Sequence, residues 1–106
     1  MTTIQTPVLL MTIKGTALNK GRARVWVERS LSEFGLSRHT PITIVFESDC
    51  IVVTADPAGK RKVAGRPGKE ILDICFPVEQ RAAMFGGSDR LAVFASFGKL
   101  VIRRAI

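Results

Sequence analysis

Two arginines alternate with small apolar residues in one short segment of the chain. Arg22 and Arg24 are separated by Ala23, and Val25 follows. In a strand, this period of two places both guanidinium groups on one face and the apolar side chains on the other. A guanidinium group can bind phosphate through two parallel hydrogen bonds, or the O6 and N7 atoms of guanine in a major groove. We therefore expect Arg22 and Arg24 to contact bases, with a solvated strand edge as the alternative.

A second cluster of positive charge lies in residues 55–70, here called the bridge. The bridge contains three glycines, two prolines and five basic residues. Glycine and proline disfavour a helix, so the composition predicts a mobile loop with at most a short strand at Lys62–Ala64. Flexible lysines typically contact phosphates and position a protein without specifying sequence. A solubilising linker is the alternative interpretation of the bridge.

The charge of the whole chain favours a polyanionic partner. Sixteen Lys and Arg against nine Asp and Glu give 106 residues a formal net charge of +7. Basic side chains displace counterions from phosphate backbones, although net charge can also serve solubility alone. No apolar run approaches the roughly 20 residues of a membrane helix. The first residues lack the pattern of a signal peptide, so we expect a cytoplasmic protein that does not bind membranes.

The sequence contains no pattern that predicts catalysis or metal binding. His39 has no Cys or acidic neighbour at ligand spacing, and Cys50 and Cys75 lie in apolar strand patterns. Both cysteines are interpreted as small buried hydrophobic residues. Glu28 and Glu79 occupy equivalent positions, and each is interpreted as a favourable charge in a first helical turn. We therefore expect neither an enzyme nor a protein that needs a cofactor or metal.

The elements that hold these residues occur twice along the chain. Each half reads strand, short helix, Phe-Gly, strand, tight turn and strand. This order predicts one mainly β domain with two short helices, built of repeats at about 8–54 and 62–104 that the bridge joins. The halves are expected to interlock in a small barrel or sandwich, which buries the apolar strand faces. The helices are expected over Glu28–Phe34 and from Pro77 to Phe85. The aligned positions are Phe34-Gly35 with Phe85-Gly86, Ile42–Phe46 with Leu91–Ala95, and Ile51–Val53 with Leu100–Ile102.

Two aromatic residues have more than one interpretation. Trp26, between Val25 and Val27, is predicted to pack at the end of a barrel rather than to stack on a base. Phe97 lies at a hairpin tip and suits either an oligomer contact or a stacking platform. Both predictions depend on which face of a strand or turn each ring occupies.

The repeated order resembles the AbrB/SpoVT DNA-binding family, which includes transition-state regulators, MazE-type antitoxins, SymE-like proteins and MraZ-type regulators. The resemblance covers about residues 11–104 and implies a tandem swapped-hairpin barrel with a pseudo-two-fold axis inside one chain. The residues that carry it are Gly21-Arg22, Val25–Glu28, Phe34-Gly35, Ile42–Phe46 and Cys50–Val53 in the first copy, and Ile74–Glu79, Phe85-Gly86, Asp89–Val93 and Lys99–Ile102 in the second.

The resemblance implies that basic residues on the first hairpin, on the strand before the helix and at the helix start face DNA. It therefore predicts a sequence-specific double-stranded DNA-binding regulator, a repressor, while self-association is left open. The alternatives are a SymE-like toxin that targets RNA and an antitoxin or inhibitor that binds a protein. The candidate DNA-binding residues are Lys20, Arg22, Arg24 and Arg29 in the first copy, and Lys60, Arg61, Lys62, Arg66, Lys69 and Arg81 in the second.

Overall fold

The computed structural model describes residues 8–14, 17–19, 22–77, 79–80, 85 and 90–105. These residues form ten strands, and the mainly β prediction is confirmed. The strands are β1 (Val8–Lys14), β2 (Ala17–Asn19), β3 (Arg22–Arg29), β4 (Pro41–Phe46), β5 (Cys50–Ala55), β6 (Arg61–Lys62), β7 (Ala64–Arg66), β8 (Lys69–Pro77), β9 (Arg90–Ser96) and β10 (Lys99–Arg104).

The strands form two antiparallel sheets. A six-stranded sheet has the order β1-β9-β10-β5-β4-β6, and a four-stranded sheet has the order β2-β3-β8-β7. Within the described ranges neither sheet closes on itself, so the predicted closed barrel is wrong. The chain leaves the larger sheet after β6, passes through Val63 and enters the smaller sheet at β7. β6 pairs with β4 and β7 pairs with β8, so these two short strands belong to different sheets.

The strand order of each sheet is symmetric. In the larger sheet, exchanging β1 with β6, β4 with β9 and β5 with β10 gives the same order read in reverse. In the smaller sheet, exchanging β2 with β7 and β3 with β8 does the same. Val52 lies opposite Val101 where β5 meets β10, and Arg24 lies opposite Cys75 where β3 meets β8. Because β1 pairs with β9, the first half supplies a strand to the second, and the bridge supplies β6 to β4 of the first half.

The core lies between the two sheets and follows the alternation of the strands. In β8 every second residue from Glu70 to Phe76 is buried, and in β3 the same alternation holds from Ala23 to Val27, as the period of two requires. Phe76 of β8 lies 5.6 Å from Phe46 and 6.3 Å from Phe85, measured between ring centroids. The packing of these rings joins the larger sheet to the smaller one. Other fully buried side chains are Val25, Val27, Leu31, Leu36, Ile42, Ile51, Val53, Leu72, Ile74, Leu91, Val93, Leu100 and Ile102.

The first predicted helix does not form, because its first two residues continue β3 and its last three form only a 3-10 turn. β3 continues to Arg29, which lies opposite Glu70 in β8, and only Ser32–Phe34 forms a single 3-10 turn. Gly35 ends that turn with a φ of 76°, as the Phe-Gly pattern predicts. Pairing with β8 therefore overrides the short helical periodicity. In the second half, Glu79, Gln80 and Phe85 are helical, and the rest of that predicted helix lies outside the described residues.

The bridge is ordered, so the prediction of a mobile loop is wrong. Asp56 Oδ2 accepts a 2.7 Å hydrogen bond from Thr43 Oγ1, and its Oδ1 accepts one of 2.9 Å from the Ala58 backbone N–H. Val63 is buried, and its backbone N–H donates to the Thr40 carbonyl at 3.1 Å. The bridge supplies β6 to one sheet and β7 to the other. Pro57 lies in the turn after β5, Pro67 and Gly68 form the turn between β7 and β8, and Gly65 lies within β7.

Candidate nucleic-acid interface

The outward face of β3 and β8 collects the polar residues of the smaller sheet. Ala23, Val25 and Val27 are buried, so the alternate residues of β3 point away from the core. The sequence predicted this orientation for Arg22 and Arg24. The surface is called the arginine face below, and its members are Arg22, Arg24, Trp26 and Glu28 of β3 with Ile71, Asp73 and Cys75 of β8.

Arg24 is held by an acidic partner from the other half of the chain. Its Nε and Nη2 donate to Asp73 Oδ1 and Oδ2 at 2.7 and 2.8 Å. These hydrogen bonds hold the pKa of Asp73 below its usual range and raise the pKa of Arg24. The Arg24 guanidinium also lies over the Trp26 ring, 4.7 Å from its centroid. Arg24 is therefore fixed in place, with Nη1 as the guanidinium nitrogen outside the ion pair.

Trp26 lies on the arginine face, so the prediction of packing at a barrel end is wrong. The residue is 42% exposed, and its Nε1 donates to Glu28 Oε1 at 3.1 Å. Glu28 lies in β3 rather than in a helical turn, and Lys69 Nζ lies 3.2 Å from its Oε2. The hydrogen bonds from Trp26 and Lys69 lower the pKa of Glu28. Trp26 thus presents an indole ring between an arginine and a glutamate.

Arg61 brings the bridge to the edge of the arginine face. Its Nη2 donates to the Asp73 backbone carbonyl at 2.8 Å. Arg61 and Cys75 also border a groove of about 460 Å³ that runs along β4. Cys75 is exposed, so its predicted burial is wrong, whereas Cys50 is half-buried. Burial raises the pKa of the Cys50 thiol to about 11, and Glu47 beside it acts in the same direction.

The remaining candidate residues are spread over the rim of the molecule. Arg66 and Lys69 border a smaller cavity of about 290 Å³ beside Glu28, and Lys60 borders the larger groove. Arg29 and Lys62 are exposed but border neither cavity. Lys20 and Arg81 lie outside the described residues. In the described part of the chain no ion pair involves Arg22, Arg29, Lys60, Lys62 or Arg66.

Glu70 is a polar residue that the sequence interpretation missed. It is completely buried, and its carboxylate accepts hydrogen bonds from the backbone N–H groups of Leu31, Ser32 and Gly68. Glu70 is in phase with the apolar residues Leu72 and Ile74, so the alternation of β8 carried the signal that it points inward. Its contacts assign it to the scaffold under the arginine face.

Among the described residues, no group of three or more His, Cys, Asp or Glu could hold a metal ion. No helix in this part of the chain is long and apolar enough to cross a membrane. Comparisons with protein-family models, with curated proteins and with solved structures give no match for this chain.

Proposed function

We propose that the chain is a sequence-specific double-stranded DNA-binding regulator, a repressor, and that the arginine face is its base-reading surface. The observation that carries this proposal is the exposed Arg22 beside the fixed Arg24 on a central strand of the smaller sheet. A strand holds these side chains in a defined direction, which base contacts require. The formal net charge of +7 supports the attraction to DNA.

The second part of the proposal concerns the fold family. We propose that the two halves are tandem copies of an AbrB/SpoVT-like unit that exchange strands within one chain. The symmetric strand orders support this interpretation, as do the reciprocal pairings of β1 with β9 and of β6 with β4. The pseudo-two-fold axis would then pass between Arg24 and Cys75 on the arginine face. Such an axis suits an approximately palindromic DNA site.

The two halves contribute unequally to the arginine face. β3 contributes Arg22 and Arg24, whereas β8 contributes Asp73 and Cys75 at its centre. A phosphate or base edge beside β8 would meet the Asp73 carboxylate, which Arg24 neutralises. The DNA site is therefore expected to consist of two unequal half-sites, with the stronger preference opposite β3. The basic residues at the rim, such as Lys60 and Arg66, would contact phosphates.

An RNA-binding function is the second candidate, and the exposure of Trp26 favours it. An indole ring that is 42% exposed beside an arginine can stack on an unpaired base. Such stacking contributes roughly 1–3 kcal/mol per base and tolerates different sequences. Bases in an intact DNA duplex are not available for this contact. The two functions therefore differ in whether Trp26 contacts the nucleic acid.

The experiment that tests the proposal is the selection of bound duplexes from a random library. The same protein is then measured by fluorescence anisotropy at about 50 and about 200 mM salt. The wild-type protein should select a defined site and bind it more weakly at high salt. Arg22→Ala should weaken specific binding by about 1–3 kcal/mol and relax the selected sequence, while non-specific binding persists. Arg104→Ala, an exposed arginine of the larger sheet, is the control.

Three outcomes distinguish the candidates. A lack of affinity for any duplex at low salt would exclude DNA binding. Unchanged selection by Arg22→Ala would exclude Arg22 from base recognition. Tighter binding to single-stranded RNA, with quenching of Trp26 fluorescence and loss of affinity in Trp26→Ala, would favour the RNA-binding function instead.

A further inference from the structure

The two halves of the larger sheet differ in how much of their outer strand is covered. β1 pairs with β9 from Val8, opposite Ala95, to Lys14, opposite Arg90. β6 occupies the matching place beside β4, but it pairs only with Pro41 and Ile42. No described strand continues along β4 after Ile42. The symmetric order of the sheet therefore contains one open position, here called the β4 edge, at Thr43–Phe46.

The β4 edge offers hydrogen-bonding backbone groups to an incoming strand. The Glu47 backbone N–H donates to the Cys50 carbonyl, so Glu47 points its backbone groups toward β5. Directions alternate along an antiparallel strand, and Ile44 and Phe46 therefore point their N–H and C=O groups away from β5. Such unpaired edge groups are the usual template for the addition of another strand.

The side chains along the β4 edge are also incompletely covered. In the covered half, Val93 and Ala95 are fully buried. Their counterparts Ile44 and Phe46 are only partly buried, although both pack against the core. Val45, on the opposite face of β4, is 47% exposed. An added strand would therefore remove apolar surface from water, which is the main favourable contribution to association.

The groove beside the β4 edge shows what kind of strand would fit. Its volume is about 460 Å³, and Ile44 and Phe46 form part of its apolar wall. Lys60 and Arg61 also line the groove and are exposed, so its rim is positively charged. We propose that the β4 edge binds an extended apolar segment of a partner protein, flanked by acidic residues, which joins the larger sheet as an additional strand.

A second copy of the chain is the alternative occupant of the β4 edge, and the test below distinguishes it. β1 indicates the apolar pattern of a suitable strand, because residues 8–12 (Val-Leu-Leu-Met-Thr) cover the matching part of β9. The acidic flanks then provide charge complementarity to the groove.

The test uses the full chain and a fluorescein-labelled peptide, Glu-Glu-Val-Leu-Leu-Met-Thr-Glu-Glu, measured by fluorescence anisotropy. Two further peptides carry backbone N-methyl groups on alternate residues, one peptide at the odd-numbered positions and the other at the even-numbered positions. The peptide whose methylated nitrogens face β4 should bind at least tenfold more weakly than the parent peptide, because it loses its main-chain donors. The peptide whose methylated nitrogens point away from β4 should retain binding. A peptide with lysine flanks should also bind at least tenfold more weakly.

Variants of the protein test the same site from the other side. Lys60→Glu should weaken binding of the acidic peptide and strengthen binding of the lysine-flanked peptide, whereas Arg104→Glu should change neither. The proposal is wrong if the acidic peptide does not bind, or if both N-methylated peptides bind as the parent does. It is also wrong if the protein sediments as a dimer that Ile44→Pro dissociates, because a second copy then occupies the edge. The assay contains no nucleic acid, so its failure would leave the DNA-binding proposal unaffected.

Discussion

The buried side chain of Glu70 is held by hydrogen bonds from three backbone amides. Its Oε1 accepts hydrogen bonds from the N–H groups of Leu31 at 2.6 Å and Ser32 at 3.0 Å, and its Oε2 accepts one from Gly68 at 2.9 Å. A carboxylate without such donors would be unstable in the interior. The three bonds join the start of the 3-10 turn to the hairpin between β7 and β8. One residue therefore connects the end of β3 to the bridge.

We predict that Glu70→Ala destabilises the fold by about 3–5 kcal/mol, because the substitution leaves buried N–H groups without acceptors. Glu70→Gln should cost less, about 1–3 kcal/mol, since the amide keeps one oxygen acceptor. Urea unfolding at neutral pH measures both values. Glu33→Ala, an exposed glutamate of the 3-10 turn, is the control and should change stability by less than about 0.5 kcal/mol. Equal stability of the wild type and Glu70→Ala would contradict this role.

The alternation of β3 and β8 specifies which single residues face outward. Arg22 and Arg24 follow it, and so does Trp26, whose predicted packing beside Val25 and Val27 ignores this alternation. Cys75 likewise follows the exposed phase of β8. The ion pair of Arg24 with Asp73 was not predictable in this way. It joins the two halves and depends on the register between β3 and β8, which no local pattern specifies.

At the scale of elements, the bridge is held by a close contact with β4. A Cβ atom added to Gly59 would lie 2.3 Å from the Ile42 carbonyl oxygen and 2.7 Å from the Ile42 nitrogen. Both neighbours are backbone atoms of a paired strand, so they cannot move without disturbing the larger sheet. Gly68, at the tip of the hairpin between β7 and β8, has a φ of +84° but open space around it. The two glycines are thus required for different reasons.

We predict that Gly59→Ala destabilises the protein by more than Gly68→Ala. The Gly59 substitution must displace the bridge from β4, and we expect a cost of about 2 kcal/mol or more, as for overpacking in a core. The Gly68 substitution meets only the backbone penalty of a left-handed conformation, about 1–2 kcal/mol. Thermal and urea unfolding measure both effects. The close packing of the bridge would be contradicted if Gly59→Ala were neutral.

The elements were predictable from the sequence where local patterns agree with tertiary pairing. The apolar runs at β4, β5, β9 and β10 predicted strands, and the structure has them. The prediction of a helix over Glu28–Phe34 is wrong. Glu28 and Arg29 pair with β8, which stabilises an extended backbone there, and local periodicity does not reveal such cross-strand pairing. The prediction for the bridge is wrong for a related reason. Its Gly and Pro content correctly indicates turns, but it does not reveal that Val63 between them is buried.

At the scale of the whole molecule, the two halves depend on each other. The first half supplies β1 to the edge of β9, and the bridge supplies β6 to β4. The central pairs of both sheets, β5 with β10 and β3 with β8, also join the halves. A half on its own would expose the central edges and the apolar faces that these pairs cover. The repeat in the sequence predicts two similar units, whereas the pairings show that neither unit has a complete core of its own.

We predict that cleavage of the chain between Pro57 and Ala58, two exposed bridge residues, gives fragments that do not fold as monomers. Each fragment should lack a cooperative urea transition in far-UV circular dichroism. An equimolar mixture should regain the β signal and the Trp26 emission of the intact chain, because the pairs between the halves re-form. Trp26 is the single tryptophan and lies in the smaller sheet, so its emission and the dichroism should change together in intact protein. A monomeric fragment with its own cooperative transition would show that the halves are independent units.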